Sequence, residues 1–218
     1  MRPHLLLVLL LTVALASPAW AKAPTKKEID QTLLGLSTAD LAPIKDAEDA
    51  LHAMEIHQET VQGELAIAKL DVTAAKAWVD ASKAVTGALD ASRKAAEAAS
   101  RTDELEDLAA RQARAQQTTD WREARWEAAR AAVSLQQARL ALAKSEIDRA
   151  SSEVELARLG VYNAAVGGSA DVEVEIGKTQ SKVGRQGTQV GKDRKKAEKA
   201  ERAYDEAVAK AGQLDPSM

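Results

Sequence analysis

The chain contains no cysteine and no phenylalanine among its 218 residues, and aromatic residues make up only 3% of it. Without cysteine there is no disulfide framework, so the fold must be stabilised by packing alone. The apolar fraction of 45% is largely alanine, with 13 alanines in the 34 positions 66–99. Alanine has the highest helix propensity but buries little surface. The composition therefore predicts long, thin helical packing and excludes a thick globular core.

Long apolar runs are also missing, except near the first residue, where Leu5 to Ala16 follow the positively charged Arg2. Ala19-Trp20-Ala21 matches a small-x-small cleavage site, and a run of twelve residues is too short for a permanent membrane span. We therefore expect residues 1–21 to be a signal peptide cleaved after Ala21. The mature chain is expected to be periplasmic or secreted, with no transmembrane span; an uncleaved membrane tether is the alternative.

Basic residues are concentrated in one part of an otherwise acidic chain. The formal net charge is −3 at pH 7, whereas residues 177–202 carry nine Lys or Arg against three Asp or Glu. Such a segment could bind anionic lipid headgroups or a polyanionic envelope polymer, or pair with acidic residues of the same chain. Nucleic acid is not an expected partner, because no aromatic residues are interleaved with these charges. The candidate anionic-partner surface consists of Lys178, Lys182, Arg185, Lys192, Arg194, Lys195 and Lys196.

Two heptad patterns with different phases cover most of the chain, one over residues 44–99 and one over 104–164. Apolar or small residues at two positions of each heptad are typical of coiled coils. The similar lengths predict an antiparallel helical hairpin over residues 44–164 with its tip near 100–103. A turn at 116–120 and one continuous rod that dimerises are the alternatives.

The second half of the predicted hairpin has a further apolar face, roughly opposite its heptad seam. A helix that is apolar on two sides requires a second neighbour. That neighbour is expected to be the C-terminal segment or another copy of the chain. The residues of this face are Leu135, Leu142, Leu156 and Leu159.

Shorter segments flank the predicted hairpin. Residues 22–43 contain the capping-box pattern Thr25-Lys26-Lys27-Glu28, which predicts a short helix over about 26–36. Paired glycines indicate a linker at 165–171, and residues 172–213 are predicted to form a basic C-terminal helix before a tail at 214–218. The predicted fold class is all-α: an elongated antiparallel coiled-coil helical hairpin with a short N-terminal helix and a third, glycine-containing basic C-terminal helix.

The segment IGKTQSKVGRQGTQVGKDRKK (176–196) repeats every seven residues, with Ile176, Val183 and Val190 each followed by glycine. The period continues into the C-terminal helical pattern, which favours a helix over a strand or a flexible linker. The Gly-Lys-Thr tripeptide lacks the earlier glycine of a phosphate-binding loop, whose position is taken by Val172. Four glycines in a helix cost about 3–4 kcal/mol relative to alanine. We therefore expect them to permit a close approach to a neighbouring helix.

Residues suited to catalysis or metal binding are scarce. His52 and His57 lie five positions apart, about 140° around a helix, so they cannot bind one ion together. The di-metal pattern of helical bundles requires a second Glu-x-x-His motif, which the chain lacks. No nucleophile and base spacing typical of catalysis stands out either. We expect no enzymatic activity and no cofactor.

These observations predict a non-enzymatic coiled-coil protein of the cell envelope, a structural spacer, scaffold or interaction module. Its partner would be another copy of the chain or an envelope protein, bound through helical seams. In architecture it resembles exported helical hairpin proteins, such as the trimeric periplasmic chaperones with long tentacles. One alternative function is therefore a periplasmic holdase that grips unfolded clients, and another is a metal-dependent helical-bundle enzyme.

Overall fold

A computed structural model describes residues 23–216, which form four α-helices and no strands. The all-helical prediction is confirmed. The predicted signal peptide at 1–21 lies outside the described residues, as do the last two residues of the predicted tail. The helices are α1 (Lys26–Leu33), α2 (Ala42–Ala98), α3 (Thr102–Ala165) and α4 (Ala170–Gln213).

Helix α1 begins with the capping box that the sequence indicates. The Glu28 backbone N–H donates to Thr25 Oγ1 over 3.3 Å, and the Thr25 backbone N–H donates to Glu28 Oε2 over 2.6 Å. The helix ends at Leu33, three residues before the predicted end at 36. Leu33 is buried, and Asp30 forms an ion pair with Arg158, so α1 is attached to α3.

Helices α2 and α3 are joined by three residues, 99–101. The Arg101 N–H donates to the Ala96 carbonyl and the Ser100 N–H to the Glu97 carbonyl, which is the hydrogen-bond pattern of a Schellman motif. Ser100 has a φ of +53°, in the left-handed region that glycine usually occupies. Helix α3 continues through 116–120, so the chain does not turn there.

Helices α2 and α3 pack side by side and run in opposite directions. Ser82 of α2 accepts a hydrogen bond from Arg122 of α3, and Thr86, further along α2, contacts Thr119 of α3. The numbers of the contacting residues therefore rise along α2 while they fall along α3. Residues buried in α2 recur along the helix at the spacing of its heptad pattern. They are Ile44, Val61, Leu65, Ala68, Val79, Ser82 and Ala96.

Helix α4 packs on α3 in the same antiparallel manner. Lys182 pairs with Glu155, and Lys210, nearer the end of α4, pairs with Glu127, nearer the start of α3. The whole glycine-containing stretch 176–196 is helical. Its heptad residues point towards α3, with Val172 and Val190 buried.

Helix α3 is the central element, because α2 and α4 pack on opposite faces of it. Its heptad seam with α2 includes the buried Ala143 and Ala150. Leu135 is buried on the other face, where Asp148 and Glu146 bond with residues of α4. Within residues 23–216, α2 and α4 do not pack against each other. The second neighbour predicted for this apolar face is therefore α4.

The four glycines of α4 do not serve the predicted close approach, and that expectation is wrong. A Cβ atom built at Gly177, Gly184 or Gly191 would meet nothing within 4 Å. At Gly187 it would meet only the end of the Arg149 side chain, 3.9 Å away. The glycines lie beside the seam rather than in it, so the backbones of α3 and α4 do not require them.

Candidate functional site

The seven predicted basic residues of α4 divide into two groups by their contacts. Lys178 pairs with Glu175 over 2.6 Å and Lys196 with Asp193 over 2.9 Å, both within α4. Two others reach acidic residues of α3: Lys182 Nζ lies 3.4 Å from Glu155, and Arg194 Nη2 lies 3.3 Å from Glu146. Pairing within the chain therefore occupies four of the seven. Within the described residues, no ion pair involves Arg185, Lys192 or Lys195.

The cations that lack such a pair lie on the side of α4 that faces away from α3. The steps between them are three, four or seven residues, so they fall on one helical face. Two further cations that the sequence analysis missed extend this row, and the heptad phase of α4 could have identified them. All five are exposed, and we call them the outer basic face of α4: Arg185, Lys192, Lys195, Lys199 and Arg202.

An open groove with a volume of about 700 Å³ lies where α4 ends beside α2 and α3. Apolar and aromatic side chains from all three helices line it. Trp78 comes from α2, Trp121 from α3, and Tyr204 and Val208 from α4. Trp78 and Val208 are exposed large hydrophobic residues.

Two arginines lie beside the tryptophans of this aromatic groove. The Arg122 guanidinium carbon lies 5.3 Å from the centre of the Trp78 ring, and its Nη1 donates to Ser82 Oγ over 2.7 Å. The Arg125 guanidinium carbon lies 5.2 Å from the centre of the Trp121 ring. A cation that lies over the face of an aromatic ring is attracted electrostatically by that ring. The groove thus combines aromatic surface with two oriented positive charges.

Trp126 and His52 do not line this groove. The Arg130 guanidinium carbon lies 5.1 Å from the centre of the Trp126 ring, and the buried indole nitrogen of Trp126 has no hydrogen-bond partner among residues 23–216. His52 Nδ1 lies 3.7 Å from Glu55 on an exposed part of α2. No group of three or more potential metal ligands occurs within residues 23–216.

The shifted pKa values in the structure arise at ion pairs between or within helices. A hydrogen bond and the charge of Glu123 raise the pKa of Lys83 across the α2–α3 contact. The pKa of Asp193 is lowered by hydrogen bonds from Lys196 and Gln189. Asp193 is only 6% exposed and lies in the seam of α4. The Lys83–Glu123 pair thus joins α2 to α3, whereas the Asp193 contacts with Lys196 and Gln189 lie within α4.

Helix α2 carries a second heptad pattern that the sequence analysis missed. From Ala53 to Ala98, steps of three and four residues in turn reach fourteen positions, and none of them is charged. All fourteen are exposed, on the side of α2 opposite its seam with α3. The signal that reveals them is the absence of charge at these positions in a helix with many charged residues. This outer face of α2 consists of nine alanines with Ile56, Thr60, Gly63, Ile67 and Leu70.

Comparisons of the chain with protein-family models, with curated proteins and with solved structures return no match. The helices in residues 23–216 all fall short of the length and apolarity that a membrane-spanning segment needs.

Proposed function

We propose that this chain is a non-enzymatic coiled-coil protein of the cell envelope that acts as a structural spacer or scaffold. The observation that carries the proposal is the pair of uninterrupted helices α2 and α3, of 57 and 64 residues, which pack along each other. At 1.5 Å per residue they are about 86 Å and 96 Å long. Each uses a heptad seam, so the proposed arrangement is an elongated antiparallel coiled-coil hairpin.

Helix α4 supports the spacer role because it reinforces α3 on its opposite face. A helix supported on two sides bends less readily than an isolated hairpin arm, since side chains pack against it from both directions. The signal-peptide pattern at 1–21 supports an envelope or secreted location.

Small-angle scattering of the purified chain tests the proposal. A rod about 96 Å long has a radius of gyration of about 28 Å, whereas a compact domain of about 195 residues has one of about 16 Å. We expect the larger value. A compact, near-spherical particle would contradict the spacer proposal.

The outer basic face of α4 is the proposed attachment surface for an anionic envelope component. Its five cations extend over about 26 Å of helix and face solvent. Each Lys or Arg near an anionic membrane surface contributes about 1 kcal/mol of binding free energy. The shared chemistry of the expected partners is a row of negative charges, on lipid headgroups or on a polymer.

Vesicle binding tests this surface. We expect the chain to bind phosphatidylglycerol vesicles more tightly than phosphatidylcholine vesicles, and the variant K192E/K195E to bind the phosphatidylglycerol vesicles at least about 30-fold more weakly. The variant K69E/K76E, with the same charge change on exposed lysines of α2, is the control. If the chain binds soluble polyphosphate more tightly than it binds the vesicles, a polymer is favoured over a lipid as the partner. Equal weakening by both variants would show that only net charge matters.

The aromatic groove favours a second candidate function, a holdase that binds apolar segments of unfolded clients. Exposed Trp78 and Val208 provide apolar surface there. A holdase would suppress aggregation of a denatured outer-membrane protein at stoichiometric amounts, and Trp121→Ala would reduce the suppression. Trp126→Ala, on the same helix outside the groove, is the control. No suppression by the wild-type chain would rule out this function.

A further inference from the structure

The outer face of α2 is an uncovered helix surface of a kind that α3 uses for packing. Helix α3 buries two opposite heptad faces, one against α2 and one against α4. Helix α2 has the same two faces, but within the described residues only the one towards α3 is covered. Ile67 and Leu70 on the uncovered face are 61% and 71% exposed. Uncharged heptad faces of this length normally pack against another helix.

We propose that a second copy of this chain packs antiparallel on the outer face of α2, about a two-fold axis between Ala74 and Ala77. This inference rests on the proposed function, since it joins two spacers side by side into one wider assembly. In this register, the numbers of face residues that lie opposite each other add up to 151, and those of the flanking residues add up to 153 on one side of the face and 149 on the other. Both copies therefore contribute the same surface, as a two-fold interface requires.

Size complementarity is the first argument for this arrangement. The large residues Ile56, Ile67 and Leu70 all lie in the first half of the face, and the second half consists only of alanine. The two-fold places Ile67 opposite Ala84 of the second copy and Leu70 opposite its Ala81. Each bulky side chain thus meets a small one, so the two helices can approach closely along the whole face.

Charge complementarity is the second argument. Positions that flank the face meet across the two-fold, and Glu59 then lies opposite Lys94 of the second copy. Lys94 already pairs with Asp90 of its own chain but is 70% exposed, so it can bond to both carboxylates. In this register no flanking pair brings like charges together. A parallel dimer would instead place Glu59 beside Glu64 of the second copy and each isoleucine against itself.

The size of the contact agrees with a stable dimer. The face spans 46 residues, so it is about 68 Å long and one helix, about 10 Å, wide. That corresponds to about 700 Å² on each copy and about 1,400 Å² in total, within the range of specific interfaces. A membrane surface fits less well, because alanine contributes little insertion energy and Glu59, Glu64 and Asp71 flank the face.

Sedimentation equilibrium gives the first test. We expect the purified chain to have twice its monomer mass at micromolar concentration and Ala84→Glu to have the mass of a monomer with unchanged helix content. Ala209→Glu makes the same change at an exposed alanine of α4 and is expected to remain a dimer. A monomeric wild-type chain overturns the proposal. If that monomer is still elongated in scattering, the spacer proposal survives without the dimer.

Cysteine cross-linking tests the direction and register, since the chain contains no cysteine of its own. The double variant I67C/A84C is expected to form a disulfide-linked dimer on mild oxidation. I67C alone and A84C alone are expected not to, because each residue lies about 25 Å along the helix from its own copy. K69C/K83C, on the side of α2 towards α3, controls for random collisions. Cross-linking of I67C alone would show a parallel dimer and overturn the proposed arrangement.

A charge exchange tests the flanking pair without touching the apolar face. Glu59→Lys and Lys94→Glu are each expected to weaken dimerisation about 3- to 10-fold, because two symmetric contacts are lost. The double variant E59K/K94E is expected to restore it. If the double variant dimerises as weakly as the single ones, these residues do not face each other and the register is wrong.

Discussion

Helices α2 and α4 flank the same helix, yet their outward faces have opposite character. Both pack on α3 through heptad residues and both run antiparallel to it. The outward face of α2 is uncharged over 46 residues and rich in alanine, whereas that of α4 carries exposed cations. Inward faces of the same kind thus hold the helices together, while the outward faces give the two sides of the molecule different surface chemistry.

The two helices also differ in how strongly their own sequences favour a helix. Helix α2 is rich in alanine, while α4 has glycine at Gly177, Gly184, Gly187 and Gly191. Since glycine is destabilising in a helix, α4 depends more on α3 for its structure. We therefore expect α4 to be the less stable of the two.

The prediction with the largest expected effect removes the glycines that make α4 a weaker helix than α2. Replacing the four glycines of α4 by alanine is expected to raise the free energy of unfolding by about 3–4 kcal/mol, because the added methyl groups meet open space or a flexible arginine. Chemical denaturation measures it. Gly87→Ala in α2, also in open space, is the control and is expected to add only about 1 kcal/mol. A loss of stability in the quadruple variant would show that the glycines have a packing role.

Two leucines of α2, one on each face, distinguish its inward face from its outward face. Leu65 is 9% exposed and Leu70 is 71% exposed. Leu65→Ala is expected to lower the free energy of unfolding by about 2–3 kcal/mol through lost burial and a cavity. Leu70→Ala is expected to cost less than about 0.5 kcal/mol at concentrations where the chain is monomeric. If Leu65→Ala and Leu70→Ala lose similar amounts of stability in thermal unfolding, the assignment of the two faces is wrong.

The connections of α2 and α4 to α3 differ in the residue types that adopt a positive φ. The α2–α3 turn has Ser100 at a φ of +53°, and the connection before α4 has Gly167 at +77° and Gly168 at +86°. Ser100→Gly is expected to stabilise the chain by about 0.5–1 kcal/mol, because glycine adopts this conformation without strain. Gly167→Ser is expected to destabilise it by a similar amount. Urea denaturation measures both, and a neutral result at both turns would contradict this explanation.

The smallest effect concerns pH. The pKa of Asp193 in α4 is lowered by Lys196 and Gln189, and that of Asp90 in α2 is lowered by Lys94. An unfolded aspartate has a pKa of about 3.9. A carboxyl whose folded pKa is lower stabilises the fold above that value, and the stabilisation is lost as the pH falls through the folded pKa.

The stabilisation that these two aspartates provide is therefore expected to be constant above about pH 5 and to decline below about pH 4. Asp193→Asn is expected to reduce this acid decline more than Asp90→Asn, because the Asp193 side chain is buried and Asp90 is partly exposed. Denaturation midpoints between pH 3 and pH 6 measure the difference. An unchanged decline in Asp193→Asn would contradict the role assigned to its carboxylate.

The heptad spacing alone was enough to predict an all-helical fold and the helical state of 176–196. Seven-residue spacing is a property of one chain segment, and it survives whatever the segment packs against. The capping box before α1 was predictable for the same reason, since Thr25 and Glu28 are only three residues apart. The role of the α4 glycines was not predictable, because spacing does not reveal whether a neighbouring backbone is near.

The sequence by itself determined which residues form helices and which helix faces are apolar, because both follow from local propensity and periodicity. Only the tertiary structure decided which apolar face is covered. Packing of α4 on the Leu135 face of α3 left the outer face of α2 exposed, although both faces have heptad spacing. It also decided which cations of α4 are paired, since Lys182 and Arg194 find partners on α3 whereas Arg185 and Lys192 point away. Pairing depends on distances between helices, and those arise only when the chain packs.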